Sequence, residues 1–382
     1  MKKVILFFCI LVLIASSIKV VAQSKAEPVY VSGIEGYKSF RIPAIIKAPN
    51  EDLLAFCEGR INGAGDFGDI KIVLKRSNDN GKTWNALQIV ASNDSLQAGN
   101  PAPVVDLTDP RFPKGRIFLF YNTGNRHEGE LRKGKGHRDV FYKTSVDNDK
   151  TWSEPTDITL QVNRIYQPDI NSDWNFKEDW RSYANTPGHA LQFPEGKYKG
   201  RIYIAANHSS GDPKPELRDY KAHGYYTDDH GATFHLSETV PFEGSNESTA
   251  AQLTNNSLMM NSRNQTGKYR VVSLSNDGGE TWDTTFVDHN LPDPICEGSL
   301  LNIGTKKGKS ALAFCNDDDD NNRDSLTLRI SFDEGKTWKK KFLIEPKNTA
   351  YSDIVKLTKN TIGILYEADE YKEIRFTVVK WE

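Results

Sequence analysis

Ser77-Asn78-Asp79-Asn80-Gly81-Lys82-Thr83-Trp84 recurs along this chain. It returns at residues 145–152 (SVDNDKTW), 227–234 (TDDHGATF), 275–282 (SNDGGETW) and 331–338 (SFDEGKTW). The shared pattern is Ser-x-Asp-x-Gly-x-Thr-Trp. Asp149 replaces the Gly in the second copy, and Thr227 and Phe234 replace Ser and Trp in the third. Each copy reads as a hairpin turn. The Asp accepts hydrogen bonds from backbone amides of its own turn, and the Gly takes the left-handed conformation. The Thr and Trp then begin the next strand, with the Trp ring covering the turn. Acids committed to their own backbone amides are structural, so these repeats carry no catalysis.

Repeats at this spacing are too long for a solenoid unit and suit one four-stranded sheet each, as in a β-propeller. The strand signals agree. Residues 70–76 (IKIVLKR) and 326–330 (LTLRI) run into boxes, and residues 116–121, 201–206 and 361–366 are further β-rich runs after turn residues. No long stretch has an amphipathic helical period. The fold class expected is all-β.

The start of the chain reads differently. Met1-Lys2-Lys3 precedes an apolar run over residues 4–14, followed by small residues up to Ala22. This pattern predicts a secretory signal peptide over residues 1–22 and a single propeller over 23–382. The apolar run is too short for a permanent bilayer anchor. We therefore expect an exported monomer, periplasmic or secreted, with no stable membrane anchor. With 49 basic and 51 acidic residues and a net charge of -2, nothing points to a nucleic-acid partner. Cys57, Cys296 and Cys315 follow the signal. Their number and scatter give neither a disulfide framework nor a metal site, though one pair could form.

The repeated turns resemble the Asp-boxes of sialidases (neuraminidases), and Phe40-Arg41-Ile42-Pro43 matches the motif near the start of sialidase catalytic domains. The chain resembles a secreted bacterial exo-α-sialidase of the Asp-box glycoside hydrolase family 33. That resemblance implies a six-bladed propeller and a set of site residues. Three arginines from separate blades would hold the substrate carboxylate, because guanidinium is a planar and permanent donor. Arg41 is the first and Arg263 the second. Arg323 is favoured as the third, with Arg329 as its competitor inside a strand.

The nucleophile implied is Tyr351. A carboxylate nucleophile would approach an anomeric centre that already bears a carboxylate; a neutral phenol avoids that repulsion. Glu247 would be the base for Tyr351. Asp66 is the expected general acid, placed in the Gly-rich loop 61–68, with Asp69 as the alternative. Arg60 would contact the sugar near its 4-hydroxyl, and Asn100 stands where many bacterial relatives have an aspartate. Trp174 and Trp180 either line the pocket or pack in the interior. The acidic run 317–320 is read as a solvated loop in preference to a calcium site, so no metal and no cofactor is assigned.

The function implied is retaining hydrolysis of terminal α-linked sialic acids from glycoproteins, glycolipids and oligosaccharides, through a covalent sialyl-tyrosine. The partners are then sialylated glycoconjugates. The alternatives are a trans-sialidase or anhydro-forming sialidase with the same core residues, and a non-catalytic propeller that binds sialoglycans.

Overall fold

A computed structural model describes residues 24–382. The expected signal peptide lies outside the described residues. The fold is an all-β propeller. β1 (Glu27–Val31) opens it and pairs only with the last strand. β2 (Ser39–Lys47), β3 (Leu53–Arg60), β4 (Ile70–Ser77) and β5 (Gln88–Ala91) form an antiparallel run, and β6 (Gln97–Asp106), β7 (Arg116–Gly124), β8 (Arg138–Ser145) and β9 (Thr156–Asp157) form the next. A five-stranded sheet follows: β10 (Trp180–Asn185), β11 (Leu191–Gln192), β12 (Ile202–Ser210), β13 (Tyr220–Thr227) and β14 (His235–Leu236). Then come β15 (Ser245–Gln252), β16 (Leu258–Asn264), β17 (Tyr269–Ser275) and β18 (Thr284–Pro292), and after them β19 (Ser299–Lys306), β20 (Lys309–Asp317), β21 (Leu326–Ser331) and β22 (Lys340–Glu345). The last sheet joins β23 (Thr349–Lys356), β24 (Thr361–Ala368) and β25 (Glu373–Lys380) to β1, so the two ends of the described chain close one sheet.

The sequence led us to expect six separate blades. Hydrogen bonding among the described residues gives five sheets instead: three of four strands, one of five and one of eight. The eight-stranded sheet arises because Ile70 of β4 makes a parallel bridge to Gln97 of β6. The strands that begin each run pack side by side in ring order. β2 lies against β6 and β23, β12 against β15, and β19 against both β15 and β23.

Apolar side chains fill the space between neighbouring sheets. Leu328 and Ile330 meet Ile364 and Tyr366, and Phe118 and Phe120 meet Ile204 and Tyr225. The five box turns fasten these interfaces at the outer edge. In the first box Asp79 accepts from the Thr83 amide at 2.9 Å and the Thr83 hydroxyl at 2.6 Å. These bonds, the Thr83 hydroxyl foremost, hold Asp79 down at about 2. The same pair of bonds recurs at Asp147, Asp229, Asp277 and Asp333. Box glycines press on the preceding sheet. A Cβ at Gly81 would come within 2.1 Å of Phe376, and one at Gly279 within 2.4 Å of Tyr203. Asp149 holds the corresponding left-handed position of the second box at φ 70° and pairs with Arg76 of the preceding run.

The two tryptophans of the long insertion pack in the interior. Trp180 stacks on His208 with ring centroids 3.6 Å apart, and Trp174 meets His137 at 4.7 Å. Cys57, Cys296 and Cys315 are buried and unpaired. The acidic run 317–320 is partnered locally: Asp317 by Thr349, Asp318 by Arg329, Asp319 by backbone amides and Asp320 by Lys268. No helix among the described residues is long and apolar enough to cross a membrane.

His208 and His223 face each other on β12 and β13 with their Nδ1 atoms 3.0 Å apart, one donating and one accepting. Burial holds His223 down at about 3 and His208 well below 6.5, the latter also opposed by His223 and Lys221. Below pH 6.5 the unfolded chain takes up protons here that the folded one refuses, so stability falls from pH 6.5 towards about 3. Urea midpoints measured across that window should drop with pH, and His223→Gln should flatten the slope. An unchanged slope in the variant would exclude the pair as its source.

Candidate active site

Several ring-forming strands lose register at one end of the propeller, and that end carries the site. β2 shifts between Arg41 and Ala44, with Ile42 at φ 62°. β6 shifts between Gly99 and Ala102, with Asn100 at φ 56°. β15 shifts between Ser245 and Ser248, and β23 between Thr349 and Ser352. A bulge adds a residue to one strand and re-aims its side chain. Arg41, Asn100, Glu247 and Tyr351 all lie at such shifts and turn into one cavity of about 190 Å³.

All eight residues singled out from the sequence line this cavity: Arg41, Arg60, Asp66, Asn100, Glu247, Arg263, Arg323 and Tyr351. The competitors lie elsewhere. Arg329 is fully buried, bonded to Asn316 and paired with Asp318. Asp69 interacts with Lys71 at 3.5 Å and is absent from the lining.

Tyr351 and Glu247 form the centre. The phenol lies 2.6 and 2.7 Å from the two carboxylate oxygens and donates to them. Arg263 donates from Nη1 to Glu247 at 2.7 Å and to the Tyr351 oxygen at 3.0 Å. Burial, then the Glu247 charge, push the phenol well above 10, while Arg263 and Arg323 pull it back only in part. Tyr351 at rest is a neutral phenol with an acceptor already in hand.

The three guanidinium groups are oriented by different partners. Arg41 donates from Nε to Glu367 at 2.6 Å and lies over the Tyr371 ring at 3.9 Å. Burial acts against its charge, and the Glu367 carboxylate outweighs that. Arg263 is held by Glu247. Arg323 donates to the Ile295 carbonyl at 2.8 Å and reaches the Tyr371 hydroxyl at 3.4 Å. Like charges brought together in this way call for an anion.

The loop that carries Asp66 leaves β3, the strand paired with that of Arg41. Arg60 donates to Glu58 at 2.6 Å and to Asp66 at 2.8 Å. The Asp66 side chain is 64% exposed. Partial desolvation raises Asp66, but Arg60, with help from Arg41 and Arg138, outweighs it and holds the carboxyl below its ordinary range. Asn100 takes part through its backbone: its amide donates to Glu58 at 2.8 Å.

Sequence reasoning missed Glu58, Glu367 and Tyr371. The two glutamates had a visible signal, an acid inside an otherwise apolar strand run (Leu53–Arg60 and Thr361–Ala368). Tyr371 had none. It follows Asp369 and Glu370, and all three take left-handed backbone.

The two kinds of acid should respond differently to removal. Glu367→Ala leaves Arg41 buried without its counterion and should cost about 3 kcal/mol in urea unfolding. Asp66→Ala removes an exposed partner and should stay within about 0.5 kcal/mol of the parent. Equal losses would mean that Glu367 does not anchor Arg41.

Comparison with known proteins now bears on this site. Residues 51–364 match the BNR repeat-like domain family. A sialidase of Micromonospora viridifaciens is 30% identical over 89% of this chain and 52% of its own length, so the chain spans about half of that relative. An exo-α-sialidase of Arthroderma benhamiae is 28% identical over 90% of this chain and 81% of its own length. Among solved structures, the Hadza microbial sialidase Hz136 superposes with a TM-score of 0.78 at 26% identity, covering 93% of this chain and 68% of that one. The chain belongs to the BNR repeat-like domain family, and the proteins it resembles in both sequence and structure are sialidases.

Proposed function

We propose that this protein is a retaining exo-α-sialidase that releases terminal α-linked sialic acids from glycoconjugates. The observation that carries the reading is the Tyr351–Glu247 hydrogen bond, set inside three arginines in one cavity.

Each residue then has a role. Arg41, Arg263 and Arg323 bind the carboxylate on the anomeric carbon and fix that carbon over Tyr351. Glu247 takes the phenolic proton as the oxygen attacks, so no free phenolate has to form in the buried site. Asp66 protonates the leaving oxygen, then takes a proton from the water that cleaves the sialyl-tyrosine. It must be protonated for the first step, and its pairing with Arg60 opposes that. Bound sugar therefore has to separate the two, and the loop on which Asp66 rides allows it. Arg60 and the Asn100 backbone border the side of the ring that carries the 4-hydroxyl.

The same reading extends to architecture. We take the eight-stranded sheet as two blades, giving six in all. In support, β2–β5 and β6–β9 are each antiparallel runs, linked by the single Ile70–Gln97 bridge. Residues 1–22 are proposed to direct export, leaving 23–382 as a monomeric catalytic propeller in the periplasm or medium.

Tyr351→Phe deletes one oxygen and should nearly abolish turnover of sialyl-lactose, with a planar transition-state mimic still bound. Asp66→Ala should slow sialyl-lactose by about 10²–10⁴-fold and an aryl sialoside far less, since an aryl leaving group needs little protonation. A fluorinated sialoside should label Tyr351 covalently in the parent. Mass spectrometry that placed the label on a carboxylate would falsify the tyrosine mechanism.

A further inference from the structure

Asparagine followed by glycine is a chemically labile pair, because glycine has no side chain to hinder attack by its backbone nitrogen on the asparagine amide. The chain has two such pairs, Asn62-Gly63 and Asn80-Gly81. Both asparagines are exposed, so exposure does not separate them. Their glycines do.

Gly81 sits in the first box turn. Its amide donates to the Ser77 hydroxyl at 2.8 Å. Its φ is 84°, and an added Cβ would come within 2.1 Å of Phe376. The nitrogen that would attack is engaged there, and the backbone around it is pinned. Gly63 lies in the loop 61–68 instead. Its amide has no hydrogen-bond partner among the described residues. An added Cβ there would meet nothing within 4 Å. The other reactant is prepared as well. Asn62 Oδ1 accepts from the Asp69 amide at 2.9 Å, and that bond draws electron density from Cγ.

We propose that Asn62 is a site of spontaneous modification: the Gly63 nitrogen closes on Asn62 Cγ, and the isoaspartyl product that follows loosens the loop carrying Asp66. The N–Cγ bond forms and the Cγ–Nδ2 bond breaks. The Gly63 proton passes to solvent, and the side-chain nitrogen leaves as ammonia. Water then opens the cyclic imide and returns a proton to the Gly63 nitrogen. Opening at Cγ gives aspartate, and opening at the backbone carbonyl gives isoaspartate. Overall, one water replaces one ammonia.

Isoaspartate matters because of how the loop is closed. Two bonds shut its base: the Asp69 amide to Asn62 Oδ1, and the Ile61 amide to the Asp69 carbonyl at 3.0 Å. In isoaspartate the Oδ1 carbonyl belongs to the main chain, which is one atom longer. A new carboxylate also joins a segment that already carries Asp66 and Asp69. On the sialidase reading, on which this consequence rests, Asp66 then loses its fixed approach to the leaving oxygen.

The test holds the full chain in mildly alkaline buffer, where ionisation of the attacking amide speeds closure, and samples it for peptide mass spectrometry and turnover. Asn62 should convert to the acid mass while Asn80 keeps its amide, and an isoaspartyl methyltransferase should accept the aged protein. Isoaspartyl protein should lose about 10²-fold on sialyl-lactose and far less on an aryl sialoside. Asn62→Gln would need a larger imide ring, and it should keep its mass and its starting activity over the same period. Retention of the Asn62 amide, or conversion of Asn80 at an equal rate, overturns the proposal. Activity that decays equally in Asn62→Gln also overturns it. If Asn62 converts but fresh parent cleaves neither sialoside, the modification site stands and the sialidase reading falls.

Discussion

A single buried carboxylate holds the floor of this propeller together. Asp353 is fully buried and accepts from the Ile45 amide at 2.7 Å, the His189 amide at 2.9 Å, the Ser299 hydroxyl at 2.7 Å and its own neighbour Ile354 at 2.9 Å. His189 Nδ1 closes to 2.6 Å. Burial works against charge on His189, and the Asp353 carboxylate outweighs it, raising the imidazole above its ordinary value. These donors come from β2, from the segment after β10, from β19 and from β23. Serine, histidine and aspartate together suggest a hydrolytic triad, but the serine donates to the aspartate and not to the histidine, so nothing activates it. The cluster is a pin. Tyr351 lies two residues before it on the same strand, inside the register shift, so the pin fixes the strand from which the phenol projects.

Convergence of charge is the next constraint. Arg41, Arg60, Arg263 and Arg323 approach one cavity, and each cation needs something to keep it there before substrate arrives. Glu367, Glu58 and Glu247 are the counterions of Arg41, Arg60 and Arg263, while the Ile295 carbonyl holds Arg323, and only Glu247 has a proposed part in chemistry. Glu367 also accepts from the Ile42 and Tyr351 amides at 2.8 and 3.2 Å. One carboxylate thus sets both the first arginine and the backbone of the proposed nucleophile. Removing it disturbs binding and attack together, which is why so buried an acid belongs to the site as much as to the core.

Much of this was legible in the sequence, unevenly. The boxes announced themselves because Ser, Asp, Gly, Thr and Trp at fixed offsets are a local signal: the Thr bonds that the first box Asp accepts join residues four apart. The eight cavity residues were found through family resemblance and their order along the chain, since no local pattern brings residue 41 to residue 351. Competition between Arg323 and Arg329 turned on whether the side chain sat in a turn or a strand, and Arg329 is bound within its own sheet. What stayed hidden depends on register. The shifts in β2, β6, β15 and β23 come from unpaired residues, and composition does not display a missing partner. Glu58, Glu367 and Asp353 look like ordinary acids until the strands around them are assembled. The count of sheets failed for a similar reason, since one bridge between Ile70 and Gln97 merges two runs.

The proposed general acid shows how these layers act on one another. Alone in solution, a carboxyl like Asp66 would be ionised at neutral pH, and Arg60 depresses it further. On the proposed reading, Asp66 therefore starts in the wrong protonation state for a general acid. That arrangement is compatible with catalysis only if substrate binding reverses it. On that reading a substrate carboxylate neutralises the arginines, and Arg41 is one of the charges that depress Asp66. The sugar ring also removes water from a side chain that is now largely exposed, and desolvation raises a carboxyl pKa. Both effects push Asp66 towards its protonated form, and neither operates until the correct anion is bound. The cationic cluster thus has two consequences on the proposed reading: it selects the substrate by charge, and it keeps Asp66 ionised until that charge has been met.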